Sequence, residues 1–195
     1  MKKVLNVGGN SKLIPLPPQY KNFEHLLLDI DPSGNPDVLC DSRELKKLEP
    51  SQFEMIYCSH NLEHYYEHDV KKVLAGFMHV LKDGGAVHII VPDMHEVMKY
   101  MIEKNLDLND VLYESAIGPI RVLDVIYGYS NQIEKSGVDF FAHKTGFTLK
   151  SLLGALNFAG FTNIHGQASG FNLIFIAFKN SPSSEIIDLF KLQNK

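Results

Sequence analysis

Short apolar runs alternate with helix-period stripes along the first half of the chain. Val4-Leu5-Asn6-Val7 is nearly all apolar, as a parallel strand covered on both faces must be, and it runs into Gly8-Gly9-Asn10. His25-Leu26-Leu27-Leu28-Asp29-Ile30 predicts a second strand stopped by Asp31-Pro32-Ser33-Gly34. Asp37–Cys40 predicts a short third strand, and Phe53–Cys58 a fourth. Val70, Val73, Leu74, Phe77, Met78 and Leu81 then recur at spacings of three and four, which predicts a helix with one apolar stripe against a sheet. Asp83-Gly84-Gly85 is expected to end that helix, since glycine takes a left-handed cap at little cost. Ala86–Val91 follows as a fifth strand closed by Pro92. Strands alternating with helices imply an α/β fold with a mainly parallel sheet and right-handed crossovers.

The second half reads differently. From Asp93 to Phe147 the helical signal weakens and is broken at Gly118-Pro119, Gly128 and Gly137. A stretch that long between core elements is no ordinary connection, so 93–147 is expected to be an inserted lid or wall of a site within one domain spanning 1–195. Regularity returns at Thr148, a good helix cap, after which Leu149, Leu152, Leu153, Leu156 and Ala159 share a face. Phe161–His165 and Phe171–Phe178 predict two strands joined by Gly166-Gln167-Ala168-Ser169-Gly170, an antiparallel addition to the sheet. One short helix is expected at Glu185–Leu192.

Composition narrows the classes. Nineteen basic against 23 acidic residues give a net charge of −4, without the basic footprint of a nucleic-acid binder. No apolar run is long enough for a membrane span or a secretory signal. Two cysteines, Cys40 and Cys58, cannot form a disulfide framework or a four-cysteine zinc site, which favours a reducing compartment and a cytoplasmic location. Nine histidines make the charge, and hence solubility, sensitive to mild acid.

In an open parallel sheet ligands bind at the carboxyl ends of the strands, near the point where strand order reverses. Those ends carry Gly8-Gly9-Asn10, Asp29 with Ile30, Asp41 with Ser42, and Ser59-His60-Asn61. Glycines let a ligand approach the backbone. A carboxylate closing strand two can accept both hydroxyls of a ribose, and one closing strand three can accept an adenine amino group. Taken singly, each feature is equally well a tight turn or a cap; the ordered set points to a nucleotide-like ligand.

Taken together these segments resemble a family. Val4–Asn10, Leu28-Asp29-Ile30-Asp31 and Cys40-Asp41-Ser42 look like the first three motifs of class I S-adenosylmethionine-dependent methyltransferases. Ser59-His60-Asn61-Leu62-Glu63-His64 looks like the post-strand-four motif of their large methyltransferase-domain group. Val80–Gly85 followed by Val91-Pro92-Asp93 resembles the approach to strand five in that group. The resemblance resumes at His143–Thr148 and extends through the last strand pair. It implies a Rossmann-like sheet of order 3-2-1-4-5-7-6 with strand seven antiparallel, and S-adenosylmethionine as cofactor with S-adenosylhomocysteine as product. Gly8, Gly9 and Asn10 would then lie at the methionine part, Asp29 and Ile30 at the ribose and Asp41 with Ser42 at the adenine edge, with Ser59 and His60 near the sulfonium. Two departures stand out. Asn6 replaces the usual acid of motif one, and Pro15, Pro17 and Pro18 forbid the long helix that normally follows the glycine loop.

The reaction the resemblance implies is in-line displacement at the sulfonium methyl, with a small-molecule hydroxyl as acceptor. A hydroxyl nucleophile needs a base, and a histidine suits that at neutral pH. His143, where the inserted segment returns to the sheet, is the candidate, with Tyr127 and Lys144 as candidate substrate contacts. No metal is assigned, yet a metal-assisted O-methyltransferase using His60, Glu63 and His64, with His143 as a distant partner, is an alternative. Another is a protein that binds S-adenosylmethionine without turning it over. A remote one is a zinc peptidase, because His60-Asn61-Leu62-Glu63-His64 spells H-x-x-E-H, and His60, His64 and His68 would share one face of a helix. A dinucleotide oxidoreductase is disfavoured by the absence of G-x-G-x-x-G.

Overall fold

β1 (Lys3–Val7) buries Val4, Leu5 and Val7 completely, which is why apolar residues stand at those three positions on both faces of the strand. The structure, a computed structural model, describes residues 1–116 and 118–192. No α-helix lies between β1 and β2 (Glu24–Asp29); the prolines allow only one 3₁₀ turn, Pro18–Tyr20. β3 (Val38–Leu39) is a two-residue edge strand and β4 (Phe53–Ser59) a central one. α1 (Glu67–Val80) buries Val70, Val73, Leu74 and Phe77, the stripe read from the sequence.

That helix ends earlier, and for a different reason, than the glycines suggest. Leu81 is already extended and fully buried, so β5 (Leu81–Pro92) begins directly at the end of α1. Asp83-Gly84-Gly85 lies inside the strand, where the pairing with β4 shifts register between Phe53 and Met55. Gly84 has φ +74°, so its freedom serves this irregularity instead of a helix cap.

Between β5 and the return to the sheet come α2 (Met94–Glu103), the hairpin of β6 (Val111–Ser115) and β7 (Gly118–Arg121), α3 (Val122–Tyr127) and α4 (Ser130–Ser136). Val97, Leu112, Ile120, Val122 and Val125 form a small apolar cluster of their own within this segment. α5 (Leu149–Phe158) starts at a Thr148–Ser151 capping box. It buries Leu152 and Leu156, while Leu149 and Leu153 stay largely exposed, a narrower stripe than expected. β8 (Thr162–Ser169), β9 (Asn172–Phe178) and α6 (Ser184–Phe190), capped by the Ser183 hydroxyl, complete the chain as described.

The main sheet has the order β3-β2-β1-β4-β5-β9-β8. β9 runs antiparallel to both β5 and β8, and the remaining neighbours are parallel. With the β6–β7 hairpin set aside, this is the 3-2-1-4-5-7-6 order expected from the motifs. The main core joins the sheet to α1 and α5. A second core, built on Val4, Tyr20, Met55, Ala86 and Phe178, is covered by α6. Strand order reverses between β1 and β4.

Candidate active site

Gly8 turns the chain out of β1 at φ +69°, a conformation that suits glycine, and a Cβ there would overlap the Asn61 side chain. The turn is pinned from the next strand: the Gly8 amide donates to the Leu28 carbonyl at 2.8 Å and the Asn10 amide to Asp29 Oδ2 at 2.9 Å. The Asp31 amide donates to Asp29 Oδ1 at 3.0 Å. Asp29 is thus a buried carboxylate locked in orientation by two backbone donors, with lone pairs left for a ligand.

These residues open onto a cavity of ≈ 340 Å³ lined by Gly8, Asn10, Asp29, Ile30, Asp41, His60 and Lys144 among others. Five carboxylates, Asp29, Asp31, Asp41, Asp69 and Asp139, line it against two permanent cations, Arg43 and Lys144. That balance favours a cationic ligand. Several expected contacts are modified. Asp41 is gripped by the Arg43 guanidinium through Nε at 3.0 and 3.1 Å and Nη2 at 2.5 Å. Burial raises the Asp41 pKa, but Arg43 more than offsets this and the carboxyl titrates below its usual range. Ser42 is buried, in hydrogen-bonding contact with Tyr65, and lies beneath the cavity instead of lining it. Gly9 packs on the Asn6 side chain, and Ser59 stays in the β4 ladder opposite Ile90; neither lines the cavity. Asp31, Arg43, Tyr65, Tyr66 and Phe141 line it without having been singled out in the sequence.

A second cavity of ≈ 250 Å³ adjoins the first, and His60 lines both. Its other walls are Pro92, Tyr113, Ile120, Asp124, Val125, Tyr129, His143, Phe171 and Asn172. The inserted segment supplies most of these. Lys144 faces the larger cavity, held to Asp139 at 3.0 Å. Tyr127 lines neither cavity and is 59% exposed; Tyr129 and Tyr113 take the place expected for it.

Between the two cavities sits a buried polar cluster. Leu62–His64 is one 3₁₀ turn, and α1 does not begin until Glu67, so His60, His64 and His68 do not share a helix face. His60 itself has φ +49°, outside helix geometry. The H-x-x-E-H string therefore lacks the helical context a zinc peptidase requires. The Glu63 carbonyl instead accepts the amides of Lys144 at 2.8 Å and Thr145 at 3.2 Å, which brings the distant His143 segment alongside. Gly128 completes that docking, since a Cβ on it would lie 2.1 Å from the Phe141 carbonyl oxygen. His143 Nδ1 then donates to the Val125 carbonyl at 2.8 Å; a carbonyl only accepts, so Nδ1 carries the proton and Nε2 the lone pair.

Electrostatics follow from burial and proximity. Glu63 is 1% exposed, and burial favours its neutral acid, yet His60, then His64 and His143, hold its pKa below the usual value. For His60 burial pulls downward and the Glu63 carboxylate, 3.4 Å from Nδ1, more than compensates, leaving the pKa raised. Burial dominates at His143 and lowers its pKa despite Glu63.

Residues 22–89 match the family model described as methyltransferase domain, a segment that runs from before β2 to within β5. The match and the sheet bear out the resemblance to class I S-adenosylmethionine-dependent methyltransferases read from the motifs. Among solved structures the chain is similar to a SAM-dependent methyltransferase from Archaeoglobus fulgidus, with TM-score 0.59 and 14% identity over 91% of this chain and 86% of that one. It is similar also to 1,6-didemethyltoxoflavin-N1-methyltransferase from Burkholderia thailandensis, with TM-score 0.55 and 16% identity over 92% and 72%. An O-methyltransferase family protein from the same organism gives TM-score 0.57 and 13% identity over 93% of this chain but only 52% of that larger one. No curated protein sequence matches. Among the described residues no helix is long and apolar enough to cross a membrane.

Proposed function

We propose that this protein transfers the methyl group of S-adenosylmethionine to a hydroxyl of a small molecule. The observation that carries the reading is the joining of two cavities at His60, one acid-lined over the strand ends and one largely apolar behind His143. Asp29 would accept the ribose hydroxyls, Ile30 and Asp41 would border the adenosine, and Gly8 with Asn10 would admit the methionine part. The sulfonium would lie towards His60, with the acceptor in the smaller cavity. The matched methyltransferase domain implies the same donor.

In the reaction an oxygen lone pair of the acceptor attacks the methyl carbon, the carbon–sulfur bond breaks, and its electron pair stays on sulfur. The hydroxyl proton passes to His143 Nε2, the nitrogen left free by the bond to Val125. Alignment of the reacting atoms would supply most of the acceleration, since positioning alone is worth about 7–11 kcal/mol. The cytoplasm is the setting we propose, because Cys40 and Cys58 are unpaired.

Titration calorimetry with S-adenosylhomocysteine tests the donor site. One equivalent should bind, and Asp29→Ala should weaken binding at least about tenfold, since buried ribose hydroxyls lose their acceptor. No heat and no thermal shift with the wild-type protein would overturn the reading.

A further inference from the structure

Glu63 is the one buried side chain among the described residues whose oxygens have no hydrogen-bond partner. Both Oε1 and Oε2 are in this state, and the residue is 1% exposed. A carboxylate taken out of water without donors is costly, so a group of this kind calls for a cation or a protonated partner. The His60 imidazole, half exposed, lies 3.4 Å from Oε1 through Nδ1.

Two imidazoles complete the surroundings. One ligand atom each from Glu63, His64 and His143 lie within 4.8 Å of one another. The His64 and His143 rings meet edge to face at 4.9 Å. Each ring is also oriented from behind. His143 gives its Nδ1 proton to Val125, which presents Nε2 as a donor lone pair. His64 has a carbonyl oxygen at 3.2 Å from either nitrogen, Ala142 on one side and His60 on the other. Whichever nitrogen donates to its carbonyl, the other keeps a lone pair that faces the second carbonyl, so ligation needs the ring to turn away from that oxygen. A carbonyl behind a ligating imidazole is the usual device that fixes its tautomer for a metal.

We propose that Glu63, His64 and His143 form a binding site for a borderline first-row divalent cation such as Zn²⁺ or Mn²⁺. Two nitrogens and one carboxylate oxygen suit such ions better than Mg²⁺ or Ca²⁺, which prefer all-oxygen sets. Ligand atoms about 2.1 Å from a tetrahedral zinc sit about 3.4 Å apart, so the present spread closes by a small side-chain rotation. Three protein ligands leave a position open, and His143 borders the smaller cavity, so that position faces the acceptor. With the ion bound, a hydroxyl at that position would be acidified by it; His143 Nε2 would then be a ligand, and the acceptor proton would pass to solvent water instead of to His143 as in the metal-free reaction above. The set differs from the sequence-based alternative in leaving out His60 and making His143 a direct ligand. Its role in methyl transfer rests on the function proposed above; the cation site itself does not.

The test separates the two. Full-length protein is stripped with chelator and titrated by calorimetry with ZnCl₂, MnCl₂ and, as the contrast, MgCl₂, with elemental analysis after desalting. S-adenosylhomocysteine binding is measured on the same samples. One equivalent of Zn²⁺ or Mn²⁺ should be retained and Mg²⁺ should not. Glu63→Gln should weaken retention at least tenfold while S-adenosylhomocysteine still binds, and His64→Ala, which also alters the wall of the nucleoside cavity, should weaken retention at least tenfold as well. Retention of the ion in both variants would place it on other histidines and overturn the proposal. So would absence of any retained equivalent in the wild-type protein, whatever the variants do and whether or not the nucleoside binds.

Discussion

A single residue, His143, joins the wall of the smaller cavity to the polar cluster around Glu63. Its Nδ1 is committed to the Val125 carbonyl, so only Nε2 is available for chemistry. In the proposed reaction it acts, as base or as ligand, on the acceptor and not on the donor. His143→Ala should therefore lower turnover by about 10²–10⁴-fold, the usual contribution of a positioned proton acceptor, with S-adenosylhomocysteine affinity retained. Transfer from labelled S-adenosylmethionine to a panel of hydroxylated small molecules, beside calorimetry, measures both quantities. The sequence singled out His143 because it stands where the inserted stretch returns to the sheet and within the family resemblance. Its nearness to Glu63 entered the sequence reading only as an alternative, because Glu63 lies 80 positions earlier and the backbone bonds of Lys144 and Thr145 to its carbonyl help bring the two together. Likewise Asp41 reads as a free acid until the fold shows Arg43 gripping both of its oxygens.

At the scale of elements, the wall of the smaller cavity hangs on Asp124. Its carboxylate receives the Arg121 guanidinium at 2.9 and 3.0 Å and the Ser130 hydroxyl at 2.9 Å, joining the start of α3 to the start of α4. Burial would raise its pKa, but Arg121 and Ser130 prevail and bring it to about 2. A folded-state value below the unfolded one means the stabilisation is present above about pH 4 and is lost as pH falls towards 2. Asp124→Asn should thus cost roughly 2 kcal/mol at neutral pH, read from urea unfolding. It should also lower turnover more than cofactor affinity, because α3 carries the Val125 carbonyl that orients His143. Elements of this segment were the least legible. Gly118-Pro119 reads as a break, whereas it starts β7, and the short α3 and α4 carry too little periodicity to be recognised. The core strands were legible because burial on both faces leaves an unbroken apolar run.

For the whole molecule, the face opposite the main core sets the response to acid. His88, in the middle of β5, is buried beside Tyr57 and Phe190, and Tyr20 Oη lies 3.0 Å from its Nδ1. Burial keeps the Tyr20 phenol protonated, so it donates to a neutral imidazole. The same burial lowers the His88 pKa to about 4. The unfolded chain takes that proton near 6.5, so the stability is complete above pH 6.5 and falls as pH drops towards 4. Between pH 7 and pH 5 the loss should be about 2 kcal/mol. In His88→Gln, which retains an uncharged acceptor for Tyr20, the difference between urea midpoints at those two pH values should shrink accordingly.

The order of the sheet has a consequence for biosynthesis. β5 is central in the finished molecule, yet its second neighbour is β9, so Pro92 waits for Asn172 to leave the ribosome before its ladder closes. Until then a nascent chain carries a long, apolar, unpaired strand edge, the kind that recruits other chains. Fragments ending before β9 would be prone to aggregate for that reason, and the inserted segment, emerging in the interval, is the part of the chain available to shield that edge during synthesis.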